Sequence, residues 1–224
     1  MVMVNRLRSF ILVWIYENIF KMSVTPSASA VSYVIKPVLF IICLVPLVWL
    51  VWGAINDTLG ANPVEVMTRE TGEWVLRFLL ITLSITPARK ILNLPWLIKL
   101  RRMLGLFVFF YAVMHFITYI WFDQYFNWSE IVKDVVKRPF ITIGFAAFVL
   151  LIPLALTSNK IMIRRLKKNW LVLHKLIYVI AVLGVLHFTW LVKADYLQPV
   201  VYFLILLLLL VYRTYIQRNT RSIN

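Results

Sequence analysis

The stretch of residues 170–191 limits the possible folds more than any other part of the chain. It is almost wholly apolar and long enough to cross a bilayer as a helix. It nevertheless contains two of the three histidines, His174 and His187, and the third, His115, lies inside another apolar stretch. An ionisable side chain is costly at that depth and commonly marks a functional site. The histidines are therefore the first candidate functional residues.

The composition is that of an integral membrane protein. The 224 residues are 62% hydrophobic and 15% charged, whereas soluble domains are about half apolar. The net charge of +15 would indicate nucleic-acid binding if the basic residues formed one patch, but they fall in short segments between apolar stretches. That placement is typical of membrane topology and of contact with anionic lipids, so no nucleic-acid partner is expected. The single Cys43 excludes a disulfide framework.

Hydropathy predicts an all-α membrane protein built as a six-helix bundle. The predicted spans are residues 38–55, 73–86, 103–122, 139–157, 170–191 and 199–212. The second span is short for a membrane helix, and Pro87 is expected to end it. The spans form one transmembrane domain over residues 37–213, followed by a basic tail at 214–224.

Residues 1–36 form an N-terminal extension with two interpretations. Arg6 and Arg8 before an apolar run, with small residues at 27–30, are typical of a signal peptide, but Glu17 and Asn18 interrupt the apolar core. An interfacial helix or an extended translation start is favoured, and we assign this segment no function.

The charges predict that both termini are cytoplasmic. The N-terminus, the 87–102 and 158–169 loops, Lys175 and the segment from Arg213 onward hold 18 of the 24 basic residues. Eight of the nine acidic residues, including Glu73, are assigned to the other side. Basic loops stay in the cytoplasm, which sets the orientation.

The pattern of the histidines favours haem iron over other ligands. Proton relays usually combine histidines with carboxylates, and no carboxylate lies in the middle of a predicted span. A zinc site needs three or four convergent ligands, whereas His174 and His187 lie about 20 Å apart along a helix. Haem iron accepts one axial imidazole on each face, which suits single histidines on two helices.

Distance from the charged flanks predicts the depth of each histidine. His115 and His187 fall in the outer half of the membrane and predict an outer six-coordinate haem, while His174 predicts an inner haem. In a straight helix His174 and His187 point about 140° apart, so curvature of the helix must bring them into line. Three histidines cannot make two bis-histidine sites. The inner haem is five-coordinate, uses a non-histidine ligand or shares His115.

Three arginines and one glycine are weaker candidates. Arg101 and Arg102 lie 14 and 13 residues before His115, and arginine suits haem propionates. Arg77 suits an outer propionate, snorkelling toward the headgroups or a pair with Glu73. Gly184 suits either close approach of a porphyrin or close helix packing.

Several ordered motifs resemble one known family. They are GANPV (60–64), TG (71–72), ITPARK (85–90), RRMLGL (101–106), RPFITIG (138–144), LALTS (154–158) and the Trp170…His174 and His187…Trp190 pairs. Over about residues 38–213 the chain resembles the MsrQ family, also called YedZ. Those proteins are the haem-binding membrane subunits of the bacterial periplasmic methionine sulfoxide reductase system. They belong to the ferric-reductase-like transmembrane group, which includes the NADPH oxidases.

The resemblance implies a site and a function. The group holds two b haems with two histidines on each of two helices. His115, His174 and His187 match three of those four positions, and Arg101 or Arg102 stands at the fourth. The chain would hold one or two b haems in the bacterial inner membrane, as an electron-transfer subunit and not the catalytic subunit. Family members are also described with FMN, for which no binding motif is visible.

The resemblance also implies the partners. Electrons would come from the quinone pool or a cytosolic flavin reductase and pass to a periplasmic molybdenum-cofactor enzyme that repairs methionine sulfoxide. One alternative, a ferric reductase or another haem oxidoreductase with a different outer acceptor, would use the same histidines. A second, a transporter or scaffold with packing histidines, would purify colourless.

Overall fold

Helices make up all the regular structure of the described part of the chain, which is residues 26–192 and 196–221 of a computed structural model. This confirms the predicted all-α class. The helices are α1 (Ala28–Ile55), α2 (Pro63–Ile91), α3 (Arg101–Asp123), α4 (Trp128–Lys137), α5 (Pro139–Leu156), α6 (Lys160–Leu166), α7 (Lys168–Leu173), α8 (Leu176–Leu191) and α9 (Leu197–Arg221). Most of the predicted N-terminal extension, residues 1–25, lies outside the described residues.

Five helical stretches of the described chain are long and apolar enough to cross a membrane, so the protein is a multi-pass membrane protein. They are α1, α3, α5, α7 with α8, and most of α9. The remaining predicted span lies in α2, which carries more charge and contacts α1, α3, α8 and α9. Because α2 is largely enclosed by other helices, it needs less apolar surface than a helix that faces lipid. With α2 included, the bundle agrees with the predicted six helices.

Helix α2 differs from its predicted bounds at both ends. It begins at Pro63, where the Asn62 side chain accepts a hydrogen bond from the Glu65 backbone N–H, and it ends at Ile91. The expectation that Pro87 ends this helix is wrong, because the helix continues through it. Proline removes only one backbone hydrogen bond, and neighbouring helices support an interior proline in a membrane bundle.

Three other segments also differ from the sequence prediction. Helix α1 begins ten residues before the predicted residue 38 and passes through a π-helical turn at Val31–Ile35. The loops predicted at 123–138 and 158–169 contain the short helices α4 and α6. The predicted fifth span is one helical stretch, Lys168–Leu191, and only its hydrogen-bonding pattern is interrupted, at His174 and Lys175 between α7 and α8. The short helices are amphipathic or strongly basic, which hides them from a search for apolar spans.

Two antiparallel helix pairs, α2 with α3 and α5 with α8, form the largest interfaces. In the first pair Phe78 stacks on Tyr111 and Phe107, with ring centroids 5.2 and 5.7 Å apart. The buried Tyr111 hydroxyl donates to the Cys43 carbonyl, 2.8 Å away, and so ties α3 to α1. These contacts hold the register that places the histidines.

Candidate functional site

The imidazole rings of His115 and His187 face each other where the two helix pairs meet. His115 belongs to α3 and His187 to α8, and their ring centroids lie 6.2 Å apart with planes inclined by 75°. The structure therefore brings together the two histidines that the depth argument paired. The third, His174, lies elsewhere and forms no part of this cluster.

Each of the two rings is held by one backbone carbonyl. His115 Nδ1 lies 2.9 Å from the Thr68 carbonyl oxygen, and His187 Nδ1 lies 2.7 Å from that of Phe140. A carbonyl oxygen can only accept, so both Nδ1 atoms carry the proton and donate it. Both Nε2 atoms then keep their lone pairs. Histidine ligands of metals are usually oriented by such a bond on the other ring nitrogen.

Two glycines make room for these bonds. A Cβ built on Gly72 would lie 2.9 Å from His115 Cε1, and one on Gly144 would lie 2.7 Å from His187 Nδ1. Each glycine stands four residues after the carbonyl that its histidine contacts, Thr68 or Phe140. The Cβ of a helical residue tilts toward the N-terminus, over the preceding turn. A side chain at either position would therefore cover the carbonyl that orients the ring.

Sequence reasoning found these glycines only as letters of the motifs TG and RPFITIG and gave them no role. Gly72 and Gly144 could have been predicted from one signal: each is a glycine in a membrane span at the depth of a histidine on another span. Gly184, which was singled out instead, faces Leu76 of α2, whose Cδ2 would lie 3.1 Å from an added Cβ. Gly184 was predicted to allow either approach of a porphyrin or close helix packing, and the structure shows close helix packing.

His174 has different surroundings at the inner end of the bundle. Its Nε2 lies 3.0 Å from the Thr157 hydroxyl oxygen, and its ring stacks on Trp170 with centroids 4.0 Å apart. Trp170 Nε1 donates to the Thr157 carbonyl, 3.0 Å away. The Thr157 hydroxyl donates to the Pro153 carbonyl at 2.6 Å, so His174 Nε2 is the donor in its contact with the Thr157 oxygen. Unlike the outer pair, His174 has its Nε2 engaged.

Arg77 belongs to an ion-paired cluster at the outer end of α2. Its guanidinium lies 2.5 Å from Glu73 and 3.6 Å from Glu70, and its Nε donates to the Tyr202 hydroxyl of α9. Glu73 also pairs with Arg69 at 3.2 Å. Arg77 therefore forms the pair with Glu73, which was one of the three roles predicted for it from the sequence. A contact between Arg77 and a propionate remains a prediction.

Glu73 is one of the most deeply buried polar side chains, which the sequence prediction did not anticipate. It is 3% exposed and follows Gly72, the glycine against His115. Glu73 lies in the half of α2 that is assigned to the outer side, but it is enclosed by the bundle. Two arginines neutralise it, and this explains how a carboxylate is tolerated at the depth of a histidine.

The structure separates Arg101 from Arg102. Arg101 is half-buried, lines a cavity at the inner end and is close enough to His174 for an electrostatic interaction. Arg102 is exposed. Only Arg101 therefore combines a place inside the bundle with proximity to His174, and the propionate role of both stays a prediction.

Comparison with known proteins supplies the family. Residues 71–185 match the family described as ferric reductase like transmembrane component. The protein-methionine-sulfoxide reductase heme-binding subunit MsrQ of Herminiimonas arsenicoxydans is 53% identical over 193 residues, covering 85% of this chain and 88% of the relative. The chain belongs to the MsrQ family. Subunits with the same name from Polaromonas naphthalenivorans and Caulobacter vibrioides are 49% and 46% identical, each covering 80% of this chain and 84% and 86% of their own lengths.

The MsrQ assignment confirms the resemblance that the ordered motifs indicated. The residues matched to the ferric-reductase-like family include Gly72, His115, Gly144 and His174, and they end just before His187. No solved structure matches the chain. The geometry around the histidines therefore rests on this chain's own structure and not on that of a relative.

Proposed function

We propose that the chain is a b-type cytochrome of the bacterial inner membrane that transfers electrons outward to a periplasmic molybdenum-cofactor methionine sulfoxide reductase, for repair of oxidised periplasmic proteins. The observation that carries this proposal is the pair of facing imidazoles of His115 and His187. The names of the MsrQ relatives, which call them heme-binding subunits, support the choice of cofactor.

The spacing of the two rings fits one iron between them. Two metal–nitrogen bonds of about 2.0 Å, with about 1 Å from each nitrogen to its ring centroid, give centroids about 6 Å apart. The observed separation is 6.2 Å. The proton on each Nδ1 leaves Nε2 as the ligand atom, and haem iron takes one such atom on each face. The residues present therefore fit a bis-histidine haem.

In this proposal the protein supplies ligands, orientation and exclusion of water. His115 and His187 would bind the iron, and the carbonyls of Thr68 and Phe140 hold the two rings in place. Haem supplies one-electron redox chemistry when bound, and its surroundings set the potential.

His174 and the arginines extend the proposal to a second haem. His174 would bind an inner haem, and Arg101, Arg102 and Arg77 would be propionate partners. The position of Arg101 near His174 supports the inner assignment. The number of haems is one if His174 keeps its bond to Thr157 and two if it exchanges that bond for iron.

The proposed donors are the quinone pool or a cytosolic flavin reductase. Their support is the strongly basic inner segments, which suit docking of an acidic partner. FMN remains a prediction from the family resemblance. A second candidate function, a ferric reductase or another haem oxidoreductase with a different outer acceptor, is favoured by the match of residues 71–185.

A pyridine haemochrome assay on the detergent-purified protein, with protein quantified in parallel, tests the proposal. About two b haems per chain would support both sites. About one, lost in His187→Ala, would support the outer site alone. Absence of haem from protein purified in several mild detergents would contradict the proposal. Electron transfer from a quinol to the purified periplasmic reductase, in proteoliposomes, then distinguishes the main candidate from a ferric reductase.

A further inference from the structure

A cavity of about 270 Å³ lies at the inner end of the bundle, among α2, α3, α8 and α9. Three half-buried arginines from three helices line it: Arg89, Arg101 and Arg213. The segments that bear them are those that the distribution of charge assigns to the cytoplasm. The cavity is therefore at the level of the inner-leaflet headgroups and outside the cluster of His115 and His187.

The positive charge of this cavity is not neutralised by the described protein. Within residues 26–192 and 196–221, none of the three guanidinium groups forms an ion pair, and no lining residue is acidic. The Arg213 guanidinium lies over the ring of Tyr178, 4.5 Å from its centroid. This contact stabilises Arg213 but leaves the net charge unchanged.

Two polar atoms at the cavity are buried without a partner. Arg213 Nε and the Tyr178 hydroxyl have no hydrogen bond in the described structure, although both residues line the cavity. A buried donor left unpaired costs free energy, so such groups in native proteins generally meet an acceptor. A ligand in the cavity would supply this acceptor, and the three arginines favour an anionic one.

The remaining walls define the rest of the ligand. Leu83, Leu209 and Leu210 give the cavity an apolar side. Arginine binds phosphate oxygens through pairs of N–H donors, and basic pockets between membrane helices on the cytoplasmic side bind anionic headgroups. A phosphate attached to an apolar body fits both the charged and the apolar walls.

We propose that this cavity is a binding site for an anionic phospholipid of the inner leaflet, with Arg89, Arg101 and Arg213 on the phosphate and Tyr178 donating to the headgroup. The apolar wall contacts the glycerol and the first carbons of the acyl chains. None of its observations involves the outer histidines, so it does not depend on the outer haem. For Arg101, however, contact with a lipid phosphate is an alternative to the propionate role given under the proposed function.

Native mass spectrometry of the full-length protein in a neutral detergent tests the site. The probes are short-chain phosphatidylglycerol, short-chain phosphatidylcholine and inorganic phosphate. We expect phosphatidylglycerol to bind at least about tenfold more tightly than either of the others. The double variant Arg89→Gln/Arg213→Gln should lose about tenfold or more of that affinity, because hydrogen bonds to charged groups are lost. Arg164→Gln/Arg165→Gln, which removes two exposed charges of α6 on the same side, is the matched control.

Four outcomes would overturn the proposal. If inorganic phosphate bound as tightly as phosphatidylglycerol, the cavity would be a site for a free anion. If phosphatidylcholine bound as tightly as phosphatidylglycerol, the site would not select for the net charge of the lipid. Equal losses in the cavity variant and the α6 control would show a non-specific surface effect. Loss of haem absorbance in the cavity variant alone would assign the arginines to propionates.

Tyr178→Phe keeps the ring under Arg213, so unchanged phosphatidylglycerol affinity in this milder variant would remove the hydroxyl from the site.

Discussion

The two ends of the bundle hold their histidines in different ways. At the outer end, His115 and His187 face each other at 6.2 Å, and each donates Nδ1–H to a helix carbonyl. At the inner end, His174 is alone, stacked on Trp170 with its Nε2 bonded to Thr157. The outer rings can offer Nε2 to a metal without breaking their Nδ1–H hydrogen bonds. The inner ring must first give up a hydrogen bond. We therefore expect the outer site to bind haem more tightly, because binding there costs less reorganisation.

Replacing the outer histidines should have the largest effect. His187→Ala removes one of the two proposed axial ligands, so we expect loss of the outer haem spectrum and a fall of more than about 100-fold in electron delivery. His174→Ala should keep the outer spectrum while reducing entry of electrons from the cytoplasmic side. Reduced-minus-oxidised spectra and quinol-driven reduction in proteoliposomes measure the two effects separately.

The contrast between the two ends would break down in either of two cases. Full haem content and full transfer rate in His187→Ala would remove this residue from the ligand set. Loss of both haem signals in His174→Ala, with the protein still folded, would mean that the inner ring supports the outer site.

The glycines behind the outer rings offer a finer test of the same contrast. In Gly144→Ala the new Cβ lies 2.7 Å from His187 Nδ1, so the ring must move away from the Phe140 carbonyl. We expect haem affinity to fall by about 10- to 100-fold, the range found when an outer-shell partner of a metal ligand is lost. Gly72→Ala should act in the same direction through His115. Haem titration of apoprotein measures both variants.

Gly184→Ala is the matched control for these substitutions. Its Cβ would meet the ends of the Leu76 and Leu79 side chains, at 3.1 and 3.9 Å, and flexible side chains can give way. Haem affinity in Gly184→Ala should stay within about twofold of the wild type. Equal losses at Gly144 and Gly184 would mean that helix packing, and not the room left for the histidine ring, determines the affinity.

The smallest expected effect concerns the ion pairs beside the outer site. Glu73→Gln removes a buried partner of Arg77 and should lower the free energy of unfolding by about 3 kcal/mol. Glu70→Gln removes a more exposed partner and should cost less than about 1 kcal/mol. Unfolding in mixed micelles compares the two variants. An unchanged haem spectrum in Glu73→Gln would indicate a structural cluster, and a shifted one would include Arg77 in the haem site.

Much of the architecture was accessible from the sequence because it depends on local properties. Runs of apolar residues predict where helices cross a membrane, and charged flanks predict the depth of His115, His174 and His187. The prediction was incomplete for α2, which packs mainly against other helices. Packed in the middle of the bundle, α2 is longer and more charged than a lipid-facing span, tolerates Pro87 and buries Glu73. Hydropathy counts residues as if each faced lipid, so it found only the apolar part of this helix, residues 73–86, and missed its charged ends.

The sequence by itself determined the class of protein, the set of spans, the candidate ligands and, through its ordered motifs, the MsrQ family. Only the tertiary structure decided how the ligands are held. A carbonyl on α2 or α5 reaches a histidine on α3 or α8 only when two helices cross closely in one register, with glycine at the crossing. Hydropathy and motif order are properties of the chain read along its length. The geometry of a ring against a neighbouring helix depends on residues more than 40 positions apart, and it exists only once the helices have packed.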